Sequence, residues 1–253
     1  MSYGVRVEVR SDTPRFLREL LERLPPGWKR IRAWSAHRVF TVPESSSASE
    51  NQQALDRFEA DVKLFVAEMA RGRLFVHAGA VGWRGRAVIL PAPTLSGKST
   101  LVAALVRAGA TYYSDEYAVL DARGRVHPYP RALALRDRKT RKQRPHPVTT
   151  LGGRSGRKPL PVGTVIITQY ARGERWRPRK LTPGQGLLAL LANTVPARRD
   201  PRRTLAVLRR AVARAEILDG RRGEARHTAR SILGLITSPR AHFTCRQSRA
   251  CRA

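Results

Sequence analysis

The segment from Arg86 to Ala108 constrains this chain more than any other. Arg86 to Leu90 reads as a strand ending at Pro91, and Ser99 to Ala108 reads as a helix closed by Gly109. Between them lies Ala92-Pro93-Thr94-Leu95-Ser96-Gly97-Lys98-Ser99. A Gly-Lys-Ser turn between a strand and a helix offers backbone amides and a helix dipole to an anion. Gly97, Lys98 and Ser99 occupy the last three positions of the phosphate-binding pattern G-x-x-x-x-G-K-[ST]. Gly97 lets amides close around a phosphate, Lys98 would reach the β- and γ-phosphates, and the Ser99 hydroxyl would ligate Mg²⁺. Ala92 stands where the pattern has its first glycine, which is tolerable only if φ there is negative or the strain small. Pro91 and Pro93 stiffen the loop around it. A chance Gly-Lys-Ser after a strand is the plain alternative. The pattern predicts a P-loop over residues 92–99, with Thr100 continuing the helix start and ATP and Mg²⁺ as cofactors.

Composition narrows the setting. A chain of 253 residues with 42% hydrophobic content can bury one substantial core, alone or with a small appendage. It contains no apolar run of about 18 residues, so no membrane span is expected. The alternating start, Tyr3 to Arg10, lacks the basic and apolar blocks of a signal peptide, which points to a cytoplasmic protein. Cys245 and Cys251 both fall in a basic tail over 237–253 that is expected to be disordered, so neither a disulfide framework nor a zinc site follows. The formal net charge of +30 attracts polyanions. Only seven of the 49 basic residues are Lys, and the Arg residues spread along the whole chain, which resembles a coding preference as much as a binding surface. Nucleic acid is therefore a disfavoured partner, and 6% aromatic content is sparse for base stacking.

Periodicity organises the rest. Residues 3–10 alternate as a strand, and Thr13-Pro14 opens a helix with the apolar stripe Phe16, Leu17, Leu20, Leu21 and Leu24. One or two short strands are expected within 30–42, and a polar linker over 43–53. These make an N-terminal α+β segment, residues 1–53, before the main domain, 54–236. Residues 54–70 form an amphipathic helix. Leu74 to Val81 and Arg86 to Leu90 form a hairpin about Gly82–Gly85. Tyr117 to Leu120 and Val162 to Tyr170 read as strands. Residues 131–160, with ten Lys or Arg and one acid, read as a mobile basic loop. Helices are expected at about 183–193, 201–216 and 224–236.

Two features flank the P-loop at suggestive distances. His77 lies on the first hairpin strand, 21 residues before Lys98, and Asp115-Glu116 follows Lys98 by 17 residues. Acids just past a P-loop helix can bind Mg²⁺ or take a proton from an attacking hydroxyl. Taken singly, His77 reads as a core histidine and the acids as turn residues.

Together, His77-Ala78-Gly79, the hairpin, Ser96-Gly97-Lys98-Ser99 and Ser114-Asp115-Glu116 resemble the catalytic domain of HPr kinase/phosphorylase. The similarity runs from about Leu64 to Leu181 and more weakly to about Ile236. It is closest to the short HPr-kinase-like serine kinases found with peptide-biosynthesis clusters, including lasso-peptide ones. The resemblance implies an α/β fold like the nucleotide-binding domain of phosphoenolpyruvate carboxykinase, with a mixed sheet around the P-loop and a C-terminal helical segment. It implies transfer of the ATP γ-phosphate to a Ser hydroxyl on a peptide or small protein. Asp115 matches the family's proton-handling acid, Glu116 its metal-binding neighbour (usually Asp), His77 its active-site histidine and Arg136 a phosphate-contacting arginine. Ala134 replaces a carboxylate of bifunctional members, and the first 60 residues do not resemble their regulatory domain, which argues against phosphorylase activity and against HPr as substrate. A non-catalytic nucleotide-binding module, a nucleic-acid-dependent ATPase and an oligomeric assembly stay open.

Overall fold

The computed structural model describes residues 1–32, 35–93, 96–136 and 143–237. Thr94 and Leu95 of the predicted P-loop, residues 137–142 of the basic segment and the tail from 238, with Cys245 and Cys251, lie outside these residues.

The chain begins with β1 (Val7–Arg10), α1 (Pro14–Glu22), β2 (Arg38–Thr41) and α2 (Ala48–Met69). The expected strand over 3–10 is shortened because Tyr3 and Gly4 both adopt positive φ, turning the chain before Val5. Thr13 caps α1 by accepting from the Phe16 N–H, with Pro14 at the first helical position. The polar stretch expected as a linker instead contains the first turns of α2, which Ser47 caps by accepting from the Glu50 N–H. β1 and β2 pair in parallel, and with both helices they close a core around Phe16, Leu20, Phe58 and Val62.

Next come β3 (Leu74–Trp83), β4 (Arg86–Pro91), α3 (Lys98–Arg107), β5 (Thr111–Ser114), β6 (Tyr117–Leu120) and β7 (Arg125–His127). The predicted basic loop is not structureless. It contains β8 (Leu133–Arg136) antiparallel to β9 (Gln143–His146), then a 3₁₀ turn at Val148–Leu151, and it is tied to β5 by Tyr112 N–H donating to the Arg154 carbonyl at 2.9 Å. β10 (Leu160–Tyr170), β11 (Arg179–Leu181), α4 (Pro183–Leu191), α5 (Pro201–Val212), β12 (Glu216–Arg222) and α6 (Ala225–Thr237) complete the order. The helix expected to reach 216 stops at Val212, and a strand takes its place.

Eight strands form one mixed sheet, ordered β11-β12-β10-β4-β3-β6-β7 with β5 also on β3. β10 runs parallel to β4 and β12, whereas β3 runs antiparallel to β4, β5 and β6. The two faces alternate along β3 as a period of two demands. Val76, Ala78 and Ala80 pack toward the core formed with Leu190 of α4 and Leu208 of α5. Val81 packs on the opposite core, shared with α3 and α6. Gly79 shares that second face, and a Cβ there would come within 2.6 Å of Val102 and 3.2 Å of Lys98, so only glycine lets α3 lie this close. Among the described residues no helix is long and apolar enough to cross a membrane.

Candidate functional site

The register of β3 assembles the site. It pairs His77 with Tyr117 and Ala80 with Ser114, and in that register Ala78 and Gly79 lie beside Glu116 and Asp115. The Ala78 N–H donates to the Glu116 carbonyl at 3.1 Å, so β5 and β6 form one interrupted strand along β3, with both acids at the break. On the other edge Ala78 pairs with Pro91, where the chain leaves β4 for the loop. Three segments far apart in sequence thus end at one corner of the sheet, and period-two alternation turns His77 toward the α3 side, with Gly79.

Lys98 sits at the first turn of α3. Its Nζ donates to the Ala92 carbonyl at 3.2 Å, tying the helix start back to the first residue of the loop, and lies 3.1 Å from His77 Nε2. No carboxylate pairs with it among the described residues. Burial draws its pKa down to about 8, against an upward pull from Asp115 and Glu116. Burial, then the Lys98 and Lys63 charges, draw His77 down to about 4. At neutral pH His77 is therefore an uncharged imidazole able to accept from the ammonium. Keeping an ammonium half-buried without an ion pair destabilises a fold, and such groups concentrate at functional sites.

Gly97, at φ 79°, is left-handed and forms the N-cap of α3. A side chain there would also strike the Arg222 guanidinium at 2.7 Å. Ala92 has no positive φ, so the missing first glycine introduces no strain. Pro93 is exposed, Ser99 partly exposed and Thr100 exposed on the first turn. The Ser96 hydroxyl is buried with no partner among the described residues. An unsatisfied hydroxyl beside free helix-start amides is the arrangement that a phosphate oxygen would complete.

The acids differ in their commitments. Asp115 is 7% exposed. It accepts from the Tyr112 hydroxyl at 2.9 Å and from the Ala134 N–H at 3.2 Å, which fixes its plane and leaves further lone pairs for a ligand. Glu116 is more open, and its Oε1 is held by Lys63 at 2.6 Å. Lys63 also meets Glu59, which binds Arg23 and Arg131, so an ion-pair chain runs from α1 and α2 into the site. Mg²⁺ asks for few protein oxygens and keeps several waters. Ser99 Oγ and Glu116 Oε2, neither of which has a bond among the described residues, are a donor set of the right chemistry. Arg136 ends β8, exposed, and makes no bond with the Lys98–His77–Asp115 group. It lies one pleat repeat, roughly 7 Å, beyond Ala134 on the strand that borders Asp115.

Sequence reading assigned no role to Lys63, Tyr112 or Arg222. Arg222, at the end of β12, is 3% exposed. Its Nη2 donates to the Gly97 carbonyl at 3.1 Å and the Ser96 carbonyl at 3.4 Å, its Nε has no partner, and its guanidinium faces the Tyr170 ring at 5.5 Å. Burial lowers its pKa. Within a chain so rich in arginine, nothing in the local pattern distinguishes Arg222. Lys63 does carry a signal, since it is one of only seven lysines. Compared with known proteins, the chain matches no family model and no curated sequence.

Proposed function

We propose that this protein is an ATP- and Mg²⁺-dependent serine kinase with an HPr-kinase-like fold, acting on a peptide or small protein in the cytoplasm. The single observation that carries the reading is Lys98. A desolvated ammonium, unpaired by any carboxylate among the described residues, stands between a left-handed glycine loop and two acids. That arrangement has a cost in stability that a phosphate would offset.

In this reading the loop 92–99, the first amides of α3 and Lys98 hold the phosphates, with Thr100 at the exposed edge. Ser99 and Glu116 would hold Mg²⁺. Bound MgATP supplies the transferable phosphoryl group. Lys98 and the helix dipole stabilise charge on the phosphate oxygens. Asp115, oriented by Tyr112 and Ala134, aligns the acceptor serine hydroxyl and takes its proton as the serine oxygen bonds to the γ-phosphorus and the bond from that phosphorus to the β-phosphate oxygen breaks, releasing ADP. Neutral His77 accepts from Lys98 and aims its ammonium. Arg136 lies on the strand beside Asp115, where it can meet the acceptor or a phosphate. The ion pair between Lys63 and Glu116 favours a second reading, a nucleotide-binding module without transfer, because it engages the acid assigned to the metal. Transfer of label from ATP to a seryl peptide separates the two.

Arg222 supplies a further test. Replacing Arg222 by an apolar side chain of similar volume removes a buried charge but leaves the Ser96 and Gly223 carbonyls without its bonds, at a cost of about 1–3 kcal/mol. Arg222→Met should therefore stay folded and melt modestly below the wild-type temperature. It should also raise the KM for ATP about tenfold, because the Ser96 and Gly97 carbonyls lose their clamp and one positive charge leaves the phosphate site. An unchanged KM in the folded variant would remove Arg222 from the site.

A further inference from the structure

A second basic site lies at the other end of β4. Arg86 begins that strand and Pro91 ends it, so the site stands roughly 17 Å from the loop, the length of a strand of this size. There β7 meets β10, with Leu160 paired to Val126 and Pro161 to Arg125, and α5 covers the junction. The junction holds a cavity of about 510 Å³ lined by Arg86, Arg123, Arg125, Arg210 and Arg214. Its apolar lining comes from Val162 and Ala211, among others.

The wall is built by specific contacts. Gly124 is left-handed, and a Cβ on it would come within 2.6 Å of the Ala211 backbone nitrogen, so the 121–125 turn rests directly on α5. Asp121 holds that turn by accepting from the Arg123 and Arg125 N–H groups and from the Arg125 and His127 side chains. Burial alone would raise its pKa, but the bonds from His127 and Arg125 outweigh it and hold the carboxyl at about 2. Arg125 is therefore neutralised. Arg210 donates to the Ala122 carbonyl at 2.8 Å and Arg86 to the Val162 and Arg214 carbonyls at 3.4 and 3.3 Å, which fixes their positions without cancelling their charge. The guanidinium groups of Arg123 and Arg214 have no bond or ion pair among the described residues. Arginines exposed along one pocket concentrate positive charge there, and their planar forks match phosphate oxygens.

We propose that this cavity binds a small organic phosphate, with its phosphoryl group among Arg123, Arg210 and Arg214 and its apolar body on the Val162–Ala211 surface. The volume falls in the range of small-molecule sites. Among the described residues the lining contains no aromatic ring on which nucleic-acid bases could stack, which favours a small ligand over a strand. The proposal is independent of the kinase reading.

The test uses the full chain carrying Lys98→Ala, so that the first site does not compete, and 1-naphthyl phosphate as a fluorescent probe. Saturable one-to-one binding is expected, tighter than for inorganic phosphate because of the apolar surface. Adding Arg123→Gln and Arg214→Gln should weaken it about tenfold or more. Adding Arg172→Gln and Arg226→Gln, two exposed arginines outside the cavity, removes the same charge and should leave it unchanged. Absence of saturable binding would overturn the proposal, as would equal weakening in both double variants, the sign of a diffuse field. Failure of the probe alongside oligonucleotide binding that the cavity substitutions abolish would overturn it in favour of a nucleic-acid surface.

Discussion

Lys98→Ala is expected to lose ATP binding while keeping, or slightly gaining, thermal stability. The two effects separate because Lys98 makes no ion pair that holds the fold together. Its ammonium is desolvated enough to lower its pKa to about 8, so in the folded state the charge is a liability. Alanine suits the first turn of α3 and leaves nothing charged behind. On the ligand side, Lys98 is the one lysine at the loop, and charge-assisted bonds to two phosphates are worth about 1.5–3 kcal/mol each. Their loss corresponds to about 10²–10⁴-fold weaker binding. Calorimetric titration with MgATP, set beside a thermal melt, reads both quantities. A folded variant that binds MgATP as well as wild type would show that the loop is a chance pattern.

Asp115→Asn is expected to retain ATP binding and to lose about 10²–10⁴-fold in the rate of transfer, the usual worth of a positioned general base. The structure makes this substitution less conservative than its size suggests. One carboxylate oxygen accepts from Tyr112 and the other from the Ala134 N–H. An amide can satisfy the first, but its NH₂ then faces the Ala134 N–H, donor against donor, at a cost of about 1–3 kcal/mol. The melting temperature should fall modestly, and Tyr112→Phe provides the control, since it disturbs the orientation of Asp115 without removing its base. Pre-steady-state transfer at saturating ATP separates the chemical step from stability. If Asp115→Asn transfers at the wild-type rate and Glu116→Gln does not, the two acids have exchanged roles.

What sequence reading captured and what it missed divide along physical lines. The hairpin and α3 were legible because each has a strong local signature: alternation, and a helical apolar period. The acids and His77 were legible as residues, yet their meeting depends on the β3 register, which no local pattern displays. β12 was missed because Glu216–Arg222 offers only Ile217 and Leu218 as apolar residues and continues the period of the preceding helix. Buried between β10 and β11, it forms through its neighbours. β8 and β9 were hidden by charge, since a segment so rich in Arg and Lys reads as solvated loop. The same excess disguised both Arg222 and the arginine cavity. Its five arginines come from well-separated stretches of the chain, so a distribution that is even in sequence becomes uneven in space.

The arrangement also suggests how the N-terminal segment bears on the site. Lys63, on α2, holds Glu116, and Glu59 links Lys63 to Arg23 at the end of α1 and to Arg131. A displacement of α2 would withdraw Lys63 from the acid assigned to the metal. Arg23, at the end of α1, is thereby connected to Glu116 by a chain of ion pairs.

The most direct measurement of the central claim is phosphoryl transfer itself. Purified protein, Mg²⁺ and ATP labelled in the γ-position are mixed with a library of serine-containing peptides, and the products are separated and sequenced by mass spectrometry. The account predicts label on serine hydroxyls, dependent on Mg²⁺, absent with Lys98→Ala and strongly reduced with Asp115→Asn. Binding of MgATP without label on any peptide would favour the nucleotide-binding module. Release of label only as inorganic phosphate, stimulated by nucleic acid, would contradict the kinase assignment outright.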